Sequence, residues 1–241
     1  MQTSSSKVVV VTGGSRGIGL AVARAFVTGG ASVVITGTTE TSIAPAVREL
    51  ESLAGGGTVI GQIADVRSYE DVQRMVETAA NRCGGIDVLV NNAGVGVFGP
   101  VAQMTPTQWH DIIETNLTGV FHCCHAALPY LRARGGGWII NMSSLSGTNP
   151  FADGAAYCAS KAGLNAFSEA LMQEVRQEGI RVAYVMPGSV NTGFSGRSSG
   201  GQEWKLAPED VAQVVVGMVD YPSRSLPSRV EIRPTRPPRK G

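Results

Sequence analysis

Seven short apolar runs recur along this chain, and most of them are separated by segments with the periodicity of amphipathic helices. Strands covered by helices on both faces are apolar along their whole length, because neither face of the strand meets water. The alternation therefore predicts an α/β fold, a doubly wound seven-stranded parallel sheet with helices on both faces. The runs are residues 7–12, 32–36, 58–63, 88–91, 138–142, 181–186 and 229–232, and the helical segments are residues 17–29, 43–53, 69–83, 107–134, 155–178 and 208–220.

The chain length suits one compact domain with a sizeable core, since 43% of its 241 residues are hydrophobic. No internal repeat and no linker divides the sequence. We therefore predict a single domain over residues 1–241, with a mobile flap near residues 191–205 and a basic, proline-rich tail over residues 222–241. The tail suggests an anionic partner, although an extended, solvated segment explains it more simply.

Charge and cysteine usage exclude several classes of protein. The 20 basic and 19 acidic residues leave a formal charge of +1, which argues against a nucleic-acid partner. No apolar run approaches the ~18 residues that span a bilayer, so no membrane partner is expected. The 4 cysteines show no CxxC spacing and suit free thiols in a reducing compartment, so we expect a cytoplasmic protein.

A glycine-rich segment, Thr12-Gly13-Gly14-Ser15-Arg16-Gly17-Ile18-Gly19, follows the first apolar run. Gly13 would permit a tight turn, Gly17 the approach of a ligand, and Gly19 close packing of the helix. The helix beginning at Gly17 would offer free N–H groups and a positive dipole end to a pyrophosphate. A glycine-rich turn without a ligand remains the alternative. The predicted dinucleotide contacts in this segment are Gly13, Ser15, Arg16, Gly17, Ile18 and Gly19.

The residues after the second and third runs refine the predicted cofactor. An Asp or Glu after the second run usually binds the ribose of NAD(H), but here Gly37 and Thr38 occupy that region. Arg16 could pair with a 2′-phosphate, so NADP(H) is favoured and NAD(H) stays possible. After the third run, Asp65 could accept a hydrogen bond from the adenine amino group or could cap a helix, and Val66 follows it.

Tyr157 and Lys161 stand four residues apart in a predicted helix and therefore share one face. A free phenol has a pKa of about 10, whereas a general acid or base works best near the ambient pH. An ammonium about 4 Å away would favour the phenolate by about 4 kcal/mol, or about three pKa units. The pair therefore predicts a proton-transfer site with a phenol pKa near neutrality, and coincidence on a helix surface is the alternative.

A pair of serines follows the fifth run, in the segment Asn141-Met142-Ser143-Ser144. A hydroxyl there would lie at the carboxyl edge of the sheet, where a substrate carbonyl could bind. One serine of the pair is expected to cap a turn instead.

Together these motifs resemble the classical short-chain dehydrogenase/reductase family, in particular members similar to 3-oxoacyl-acyl-carrier-protein reductases. The resemblance extends over nearly the whole chain. It implies a Rossmann fold, a homodimer or homotetramer, and an oxidoreductase that moves hydride between NADP(H) and a carbonyl or secondary alcohol. The matching positions are residues 12–19 and 91–94, Asn116, Ser144, Tyr157, Lys161, Pro187 and Gly188.

The resemblance also implies roles for four catalytic residues. Ser144 would hold the substrate oxygen, and Tyr157 would donate or accept the proton. Lys161 would also bind the nicotinamide ribose, and Asn116 would position water in a proton relay that reaches Lys161. With the glycine segment, the predicted cofactor contacts are Thr38, Asp65, Val66, Asn92, Ala93, Gly94, Tyr157, Lys161, Pro187, Gly188, Val190 and Thr192.

The expected substrate is a small or medium-sized apolar molecule with a ketone or 3-oxo group. Glu178 stands where carrier-dependent relatives tend to have a basic residue, which argues against an acidic carrier protein. A non-catalytic dinucleotide sensor is the alternative function, although such proteins often lack the tyrosine or the lysine. The residues expected to make the pocket apolar are Val97, Phe98, Leu145, Phe151, Met186 and Phe194.

The run His122-Cys123-Cys124-His125 contains four possible metal ligands. Consecutive helical side chains diverge by about 100°, so four adjacent ones cannot converge on one ion. We predict packing roles for these residues and no metal site. Cys158 is predicted to be a small residue that faces the core.

Overall fold

The computed structural model describes residues 7–194 and 203–237. Within them, seven strands form a parallel sheet in the order β3-β2-β1-β4-β5-β6-β7. The predicted seven-stranded parallel sheet is confirmed. Its strands are β1 (Val8–Val11), β2 (Ser32–Gly37), β3 (Val59–Ile63), β4 (Val88–Asn91), β5 (Gly137–Met142), β6 (Ile180–Pro187) and β7 (Arg229–Ile232).

Seven α-helices within the same residues connect the strands and cover both faces of the sheet. Helices α1, α2 and α7 pack on one face, whose core includes Val9, Phe26 and Val215. Helices α3, α5 and α6 pack on the other, whose core includes Val10 and Leu164. Both sides of the central strands are buried, which explains why their sequences are apolar throughout. The helices are α1 (Gly17–Thr28), α2 (Glu40–Leu53), α3 (Tyr69–Cys83), α4 (Pro106–Ile113), α5 (Gly119–Ala133), α6 (Ala155–Val175) and α7 (Pro208–Val219).

The edge strands differ from the central ones. In β3 and β7 buried or partly buried residues alternate with exposed ones along much of each strand. Each edge strand has a neighbour on one side only, and Ile63 at the end of β3 is exposed. The apolar character that predicts central strands therefore weakens at both edges of this sheet.

The long segment predicted as one helix over residues 107–134 is divided in the structure. A π-helical turn at Glu114–Thr118 separates α4 from α5. Asn116 lies inside this turn and is fully buried. Single π-turns within helices often occur at functional sites, because they redirect one side chain without ending the helix.

The point at which the strand order reverses lies between β1 and β4, because β1 is followed along the chain by β2 on one side and paired with β4 on the other. Ligands of such sheets bind outside the carboxyl ends of the strands at this point. A ligand of this sheet is therefore expected between the turns that follow β1 and β4. Across residues 7–194 and 203–237, every helix is too short or too polar to cross a membrane.

Two predicted segments fall partly outside the described residues. Residues 195–202 of the predicted flap and residues 238–241 of the predicted tail lie there. Within the described tail, Glu231 on β7 forms ion pairs with Arg229 and Arg233. Part of the basic charge of the tail is therefore neutralised locally.

Candidate active site

The turn after β1 has the tight geometry predicted for the glycine segment. Gly13 has a φ of +62°, a left-handed conformation that favours glycine. Its N–H donates to the Thr36 hydroxyl at 3.2 Å, which ties the turn to β2. A Cβ on Gly19 would lie 2.3 Å from the Gly13 carbonyl oxygen, so the first turn of α1 touches the loop before it. The glycines therefore allow the helix N-terminus to approach the carboxyl edge of the sheet.

The N-terminus of α1 is available to an anion. Arg16 is its N-cap residue and makes no side-chain capping hydrogen bond. Ile18, the second residue of α1, is partly buried against the core beneath the sheet. Because α1 begins just after the carboxyl end of β1, the N–H groups of its first turn lie at that edge of the sheet.

Hydrogen bonds hold the turn after β4 against the glycine turn. The Asn92 side-chain amide donates to the carbonyl oxygens of Thr12 and Gly13 at 3.0 and 2.9 Å. In return, the Thr12 hydroxyl accepts from the N–H groups of Asn92 and Ala93 at 3.0 and 3.1 Å. Asn92 and Ala93, which were predicted as cofactor contacts, hold the two turns together through these groups. Thr12, which was not among the predicted cofactor contacts, is the centre of that arrangement.

Hydroxyl groups surround the end of β2, where a 2′-phosphate was predicted. A Cβ on Gly37 would lie 3.1 Å from the Ser42 hydroxyl oxygen and 3.5 Å from that of Ser15. Thr38 and Arg16 are exposed beside them. Ser42 was missed by the sequence reasoning, because α2 begins at Glu40 rather than near residue 43 and brings Ser42 into its first turn.

Asp65 is held by its own neighbour. Its carboxylate accepts from the Arg67 backbone N–H and forms an ion pair with the Arg67 guanidinium at 2.7 Å. Hydrogen bonding to this guanidinium lowers the pKa of Asp65. The alternative that Asp65 caps a helix is wrong, because Ser68 is the N-cap of α3 and accepts from the Asp71 N–H. Val66 is buried, and its carbonyl oxygen lies 3.0 Å from His122 Nδ1.

Helix α6 brings Tyr157 and Lys161 to the same side, as their spacing predicted. The Lys161 ammonium lies 5.8 Å from the centre of the Tyr157 ring and donates to the Met142 carbonyl oxygen at 2.7 Å. Lys161 is only 5% exposed, and burial lowers its pKa from 10.5 to about 8. The two side chains meet at the end of β5.

The predicted acidification of the phenol is wrong for this structure. Burial raises the pKa of Tyr157, and the Ser144 hydroxyl acts in the opposite direction with a smaller effect. The Lys161 ammonium donates its hydrogen bond to the Met142 carbonyl, and burial lowers the pKa of Lys161 to about 8. Desolvation of the phenolate therefore sets the direction of the pKa shift.

Ser144 combines the two roles considered for the serine pair. Its hydroxyl accepts from the Ser146 N–H at 3.1 Å and caps the short 3₁₀ turn Leu145–Gly147. The same hydroxyl is near enough to Tyr157 to lower its pKa. Ser143 is buried instead and donates to the Asn165 side chain. Ser144 thus faces the phenol, while Ser143 anchors the end of β5 to α6.

Asn116 stands behind Lys161 in the π-helical turn. Its amide protons are donated to the Val95 carbonyl at 2.9 Å and to the Ser160 hydroxyl at 3.1 Å. A Cβ on Gly94 would lie 3.3 Å from the Asn116 side-chain oxygen and 3.8 Å from the Lys161 nitrogen. Gly94, Asn116 and Lys161 are therefore neighbours. A water relay could not begin at the Asn116 amide protons, because the protein uses both of them.

The segment after β6 returns to the glycine turn. Pro187 ends β6, and the Gly188 N–H donates to the Ile232 carbonyl at 2.8 Å. Val190 pairs with Leu206 in a parallel bridge. A Cβ on Gly17 would lie 3.2 Å from two side-chain carbons of Thr192. A cleft of about 360 Å³ lies between Gly17, Thr192 and neighbouring residues of α1 and α7.

Aromatic side chains surround the outer side of Tyr157. Phe98 lies 5.5 Å from it in an edge-to-face arrangement, and Phe194 lies 5.9 Å away, both between ring centres. Val97 and Leu145 are also at least partly exposed. Met186 was wrongly predicted to line this pocket, because it is fully buried in β6 and its sulfur contacts the Asn165 amide.

The histidine and cysteine run on α5 makes packing contacts. Cys123 and Cys124 are buried, and Tyr69 contacts the rings of both His122 and His125. The Tyr69 hydroxyl lies 2.7 Å from His125 Nδ1. Cys158 is buried, as predicted. In the part of the chain that the structure describes, no three His, Cys, Asp or Glu side chains form a group that could hold a metal ion.

Comparisons with known proteins agree with this arrangement. A family model described as short chain dehydrogenase matches residues 7–203. A Streptomyces virginiae protein named as a ketoacyl reductase of the monensin polyketide synthase is 41% identical, over 82% of this chain and 76% of that protein.

Two solved structures share the fold. A metagenomic short-chain oxidoreductase in complex with NADP is 37% identical with a TM-score of 0.85, covering 98% of this chain and 100% of that one. An alcohol dehydrogenase from the archaeon Thermococcus sibiricus, complexed with 5-hydroxy-NADP, is 28% identical with a TM-score of 0.89, covering 97% and 99% of the two chains. The chain therefore belongs to the short-chain dehydrogenase/reductase family of oxidoreductases, which act on CH–OH and C=O groups.

Proposed function

We propose that the protein is an NADP(H)-dependent oxidoreductase that interconverts a ketone or 3-oxoacyl group and the corresponding secondary alcohol. Tyr157 is the general acid and base. The observation that carries the proposal is the meeting of Tyr157, Lys161 and Ser144 at the end of β5. A buried ammonium costs stability, and ribose binding alone does not require a phenol and a serine hydroxyl beside it, whereas proton transfer does.

The glycine turn and the N-terminus of α1 fit the pyrophosphate of a dinucleotide. The contact between Gly19 and the Gly13 carbonyl excludes side chains from the turn, and α1 has no side-chain cap at Arg16. Backbone N–H groups at a helix N-terminus bind phosphate well. The dinucleotide, when bound, supplies or accepts the hydride. Ser15 and Gly17 would contact its phosphates, Lys161 and Gly94 its ribose, and Val190 and Thr192 the nicotinamide end.

A 2′-phosphate fits the end of β2 better than a bare ribose does. Arg16 and Thr38 are exposed there, and the hydroxyls of Ser15 and Ser42 flank Gly37. Arg16, Thr38 and Ser15 offer donors to a phosphate there, whereas the Ser42 hydroxyl already donates to the Thr39 carbonyl oxygen at 2.8 Å. No carboxylate stands in this segment before Glu40. The solved relative with bound NADP supports the same preference. NAD(H) lacks the group that would use these donors.

In the reductive direction, Tyr157 donates a proton to the substrate oxygen. Burial raises its pKa, so the phenol carries its proton at neutral pH and is ready to act as an acid. Ser144 directs its hydroxyl to the same oxygen. Lys161, with a pKa of about 8, can return a proton to the phenolate after each turnover.

In the oxidative direction, Tyr157 must first lose its proton in order to accept one from the alcohol. The raised pKa of the phenol opposes this step near neutral pH. Alcohol oxidation should therefore require a higher pH than carbonyl reduction.

The substrate preference for a ketone or 3-oxo group is supported by the apolar side chains beside Tyr157 and by the ketoacyl reductase relative. Glu178 forms an ion pair with Arg132, so the charge of Arg132 is neutralised and is not free to bind an acidic carrier protein. We propose free or thioester-linked small molecules as substrates. We also propose a cytoplasmic homodimer or homotetramer built from a single domain, which light scattering on the purified chain would test.

The experiment that tests the proposed function is a screen of NADPH oxidation with simple ketones, 3-oxoacyl thioesters and quinones, repeated with NADH. Turnover with NADPH that exceeds turnover with NADH on at least one carbonyl is the expected result. Tight NADPH binding by calorimetry without turnover of any of these compounds would instead identify a dinucleotide sensor.

A further inference from the structure

Three exposed phenylalanines lie together beside Tyr157, although the whole chain contains only 6. Phe98, Phe151 and Phe194 are 41%, 47% and 40% exposed. Phe98 contacts both Tyr157 and Phe151, with ring centres 5.5 and 5.8 Å apart, and Phe194 contacts Tyr157 from another side. Large exposed apolar side chains that are clustered at a candidate active site indicate a ligand surface rather than chance exposure.

The segments that carry these rings are joined to one another. The Gly99 N–H donates to the Asp153 carbonyl at 2.8 Å, which connects the loop of Phe98 with the loop of Phe151. Asp153 has a φ of +65°, an uncommon conformation for a residue with a side chain, and this hydrogen bond helps to hold it. A Cβ on Gly96 would lie 2.8 Å from the Phe194 ring and 2.9 Å from the Phe98 ring. The three rings therefore form one surface, which we call the aromatic wall.

The wall is suited to planar rings. Aromatic pairs attract most strongly when they are tilted, offset or edge-to-face, with ring centres about 4.5–7 Å apart. The three pairs in and around the wall already have tilted or edge-to-face geometry. A further ring could extend this array, whereas a saturated group of the same size would gain only the burial of apolar area.

We propose that the substrate carries an aromatic ring next to its carbonyl, as an aryl ketone does, and that this ring binds against the aromatic wall. The inference rests on the proposed function, because a carbonyl oxygen held by Tyr157 and Ser144 has its substituents beside Phe98 and Phe194. It narrows the substrate class from apolar ketones in general to aryl ketones.

Acetophenone and cyclohexyl methyl ketone test the proposal, since they differ in the aromaticity of a ring of equal carbon number. The measurement is kcat/KM for both ketones in the wild-type enzyme with NADPH and in the variants Phe98→Leu and Phe151→Leu. Comparing the ratio of the two values between variants cancels the intrinsic reactivity of each ketone. Loss of one aromatic partner should lower the acetophenone to cyclohexyl methyl ketone ratio about fivefold.

Phe121→Leu is the matched control. Phe121 is 48% exposed, but it lies on α5 and contacts His122 and His125 instead of Tyr157. This variant should leave the ratio unchanged. An unchanged ratio in both Phe98→Leu and Phe151→Leu, or an equal change in Phe121→Leu, would overturn the aromatic wall as a recognition surface.

A binding measurement separates this inference from the proposed function. The NADP⁺ complex of Tyr157→Phe keeps the wall and lacks the phenolic hydroxyl, so calorimetry on it reports recognition without turnover. Acetophenone should bind more tightly than cyclohexyl methyl ketone, and Phe98→Leu in the same background should remove the difference. Equal affinities overturn the inference even if the wild-type enzyme reduces ketones, whereas a wild-type enzyme that reduces no carbonyl at all overturns the proposed function itself.

Discussion

The glycine turn after β1 and the Tyr157 centre, which consists of Tyr157, Lys161 and Ser144, lie at the same edge of the sheet. They are built in opposite ways. At the turn, backbone groups and neutral amides satisfy one another, as where Asn92 donates to Thr12 and Gly13. At the Tyr157 centre, an ammonium is buried and a phenol is partly buried, and desolvation disfavours the charged form of each. The first region depends on glycines and on neutral hydrogen-bonding groups, and the second depends on ionisable side chains kept in an unfavourable environment.

The two regions therefore differ in their effect on the free energy of folding. In the neutral turn the hydrogen-bonding groups satisfy one another, and the glycines leave no room for added side-chain atoms. The buried Lys161 is a cost at neutral pH, of the kind that persists at catalytic sites. Substitutions at the two regions should therefore impair the protein for different reasons.

The largest effect is expected for Tyr157→Phe. Removal of the phenolic hydroxyl takes away the proton donor, and general acid catalysis contributes about 10²- to 10⁴-fold, so kcat should fall at least about 100-fold. The affinity for NADPH, measured by fluorescence titration, should change less than about twofold, because the glycine turn is untouched. A variant with near-normal kcat would remove Tyr157 from the mechanism and with it the contrast between the two regions.

The second prediction concerns the pH dependence of stability caused by Lys161. Its pKa is about 8 in the folded protein against the usual 10.5, so the unfolded chain binds more protons between these values and stability rises with pH across them. This contribution is fully present above about pH 10.5 and is lost as the pH falls through about 8. The free energy of unfolding of the wild type relative to Lys161→Met should rise by about 3 kcal/mol between pH 7 and 10.5.

Urea denaturation of both proteins at several pH values measures this difference, and using the difference cancels the titration of other groups. Lys161→Met leaves the Met142 carbonyl without its donor, but that loss does not vary with pH. If the difference in the free energy of unfolding does not change with pH, burial does not lower the pKa of Lys161. The Tyr157 centre would then resemble the glycine turn in its energetics.

The parts of the site that the sequence predicted are those fixed by local geometry. The four-residue spacing of Tyr157 and Lys161 determines a shared helical face, and the positions of Gly13 and Gly19 determine a tight turn. The direction of the Tyr157 pKa shift was mispredicted, because it depends on desolvation of the phenol. The rings that contact Tyr157, those of Phe98 and Phe194, come from distant segments. Local spacing does not describe the surroundings of a side chain.

The same limit explains the other differences. The π-helical turn at Asn116 interrupts a segment with continuous helical periodicity. The Asn116 side chain forms hydrogen bonds with the backbone of Val95, which lies on the loop after β4 and is distant in sequence. Met186 was placed in the pocket for its apolar side chain, but strand register turns it into the interior. Ser42 escaped notice because the first turn of α2 was not predicted to begin before it.

A third prediction tests the steric basis of the glycine turn. In Gly19→Ala the new Cβ would lie 2.3 Å from the Gly13 carbonyl oxygen and 2.4 Å from the Asn92 amide, so the turn and α1 must separate. We expect a loss of about 1–3 kcal/mol in the free energy of unfolding, measured by urea denaturation, together with weaker NADPH binding.

Gly217→Ala is the control for Gly19→Ala. Gly217 is exposed on α7, and a Cβ there meets nothing within 4 Å, so alanine should stabilise the helix by up to about 1 kcal/mol. Opposite signs for the two glycine-to-alanine changes are expected. Equal effects would show that the close approach of α1 to the turn is not what requires glycine.

The smallest effect is expected for Arg16→Ala, which alters the charged margin of the glycine turn and leaves its backbone in place. A charge-assisted hydrogen bond from Arg16 to a 2′-phosphate implies about a tenfold rise in the Kd for NADPH, whereas NADH lacks that phosphate and should bind with unchanged affinity. Arg82→Ala, an exposed arginine in the last turn of α3, removes the same charge elsewhere and should alter neither affinity. Calorimetric titration of both dinucleotides measures the effect. Equal losses for NADPH and NADH in Arg16→Ala would mean that this residue supports the shared pyrophosphate, and the NADP(H) preference would then have to depend on the hydroxyls around Gly37.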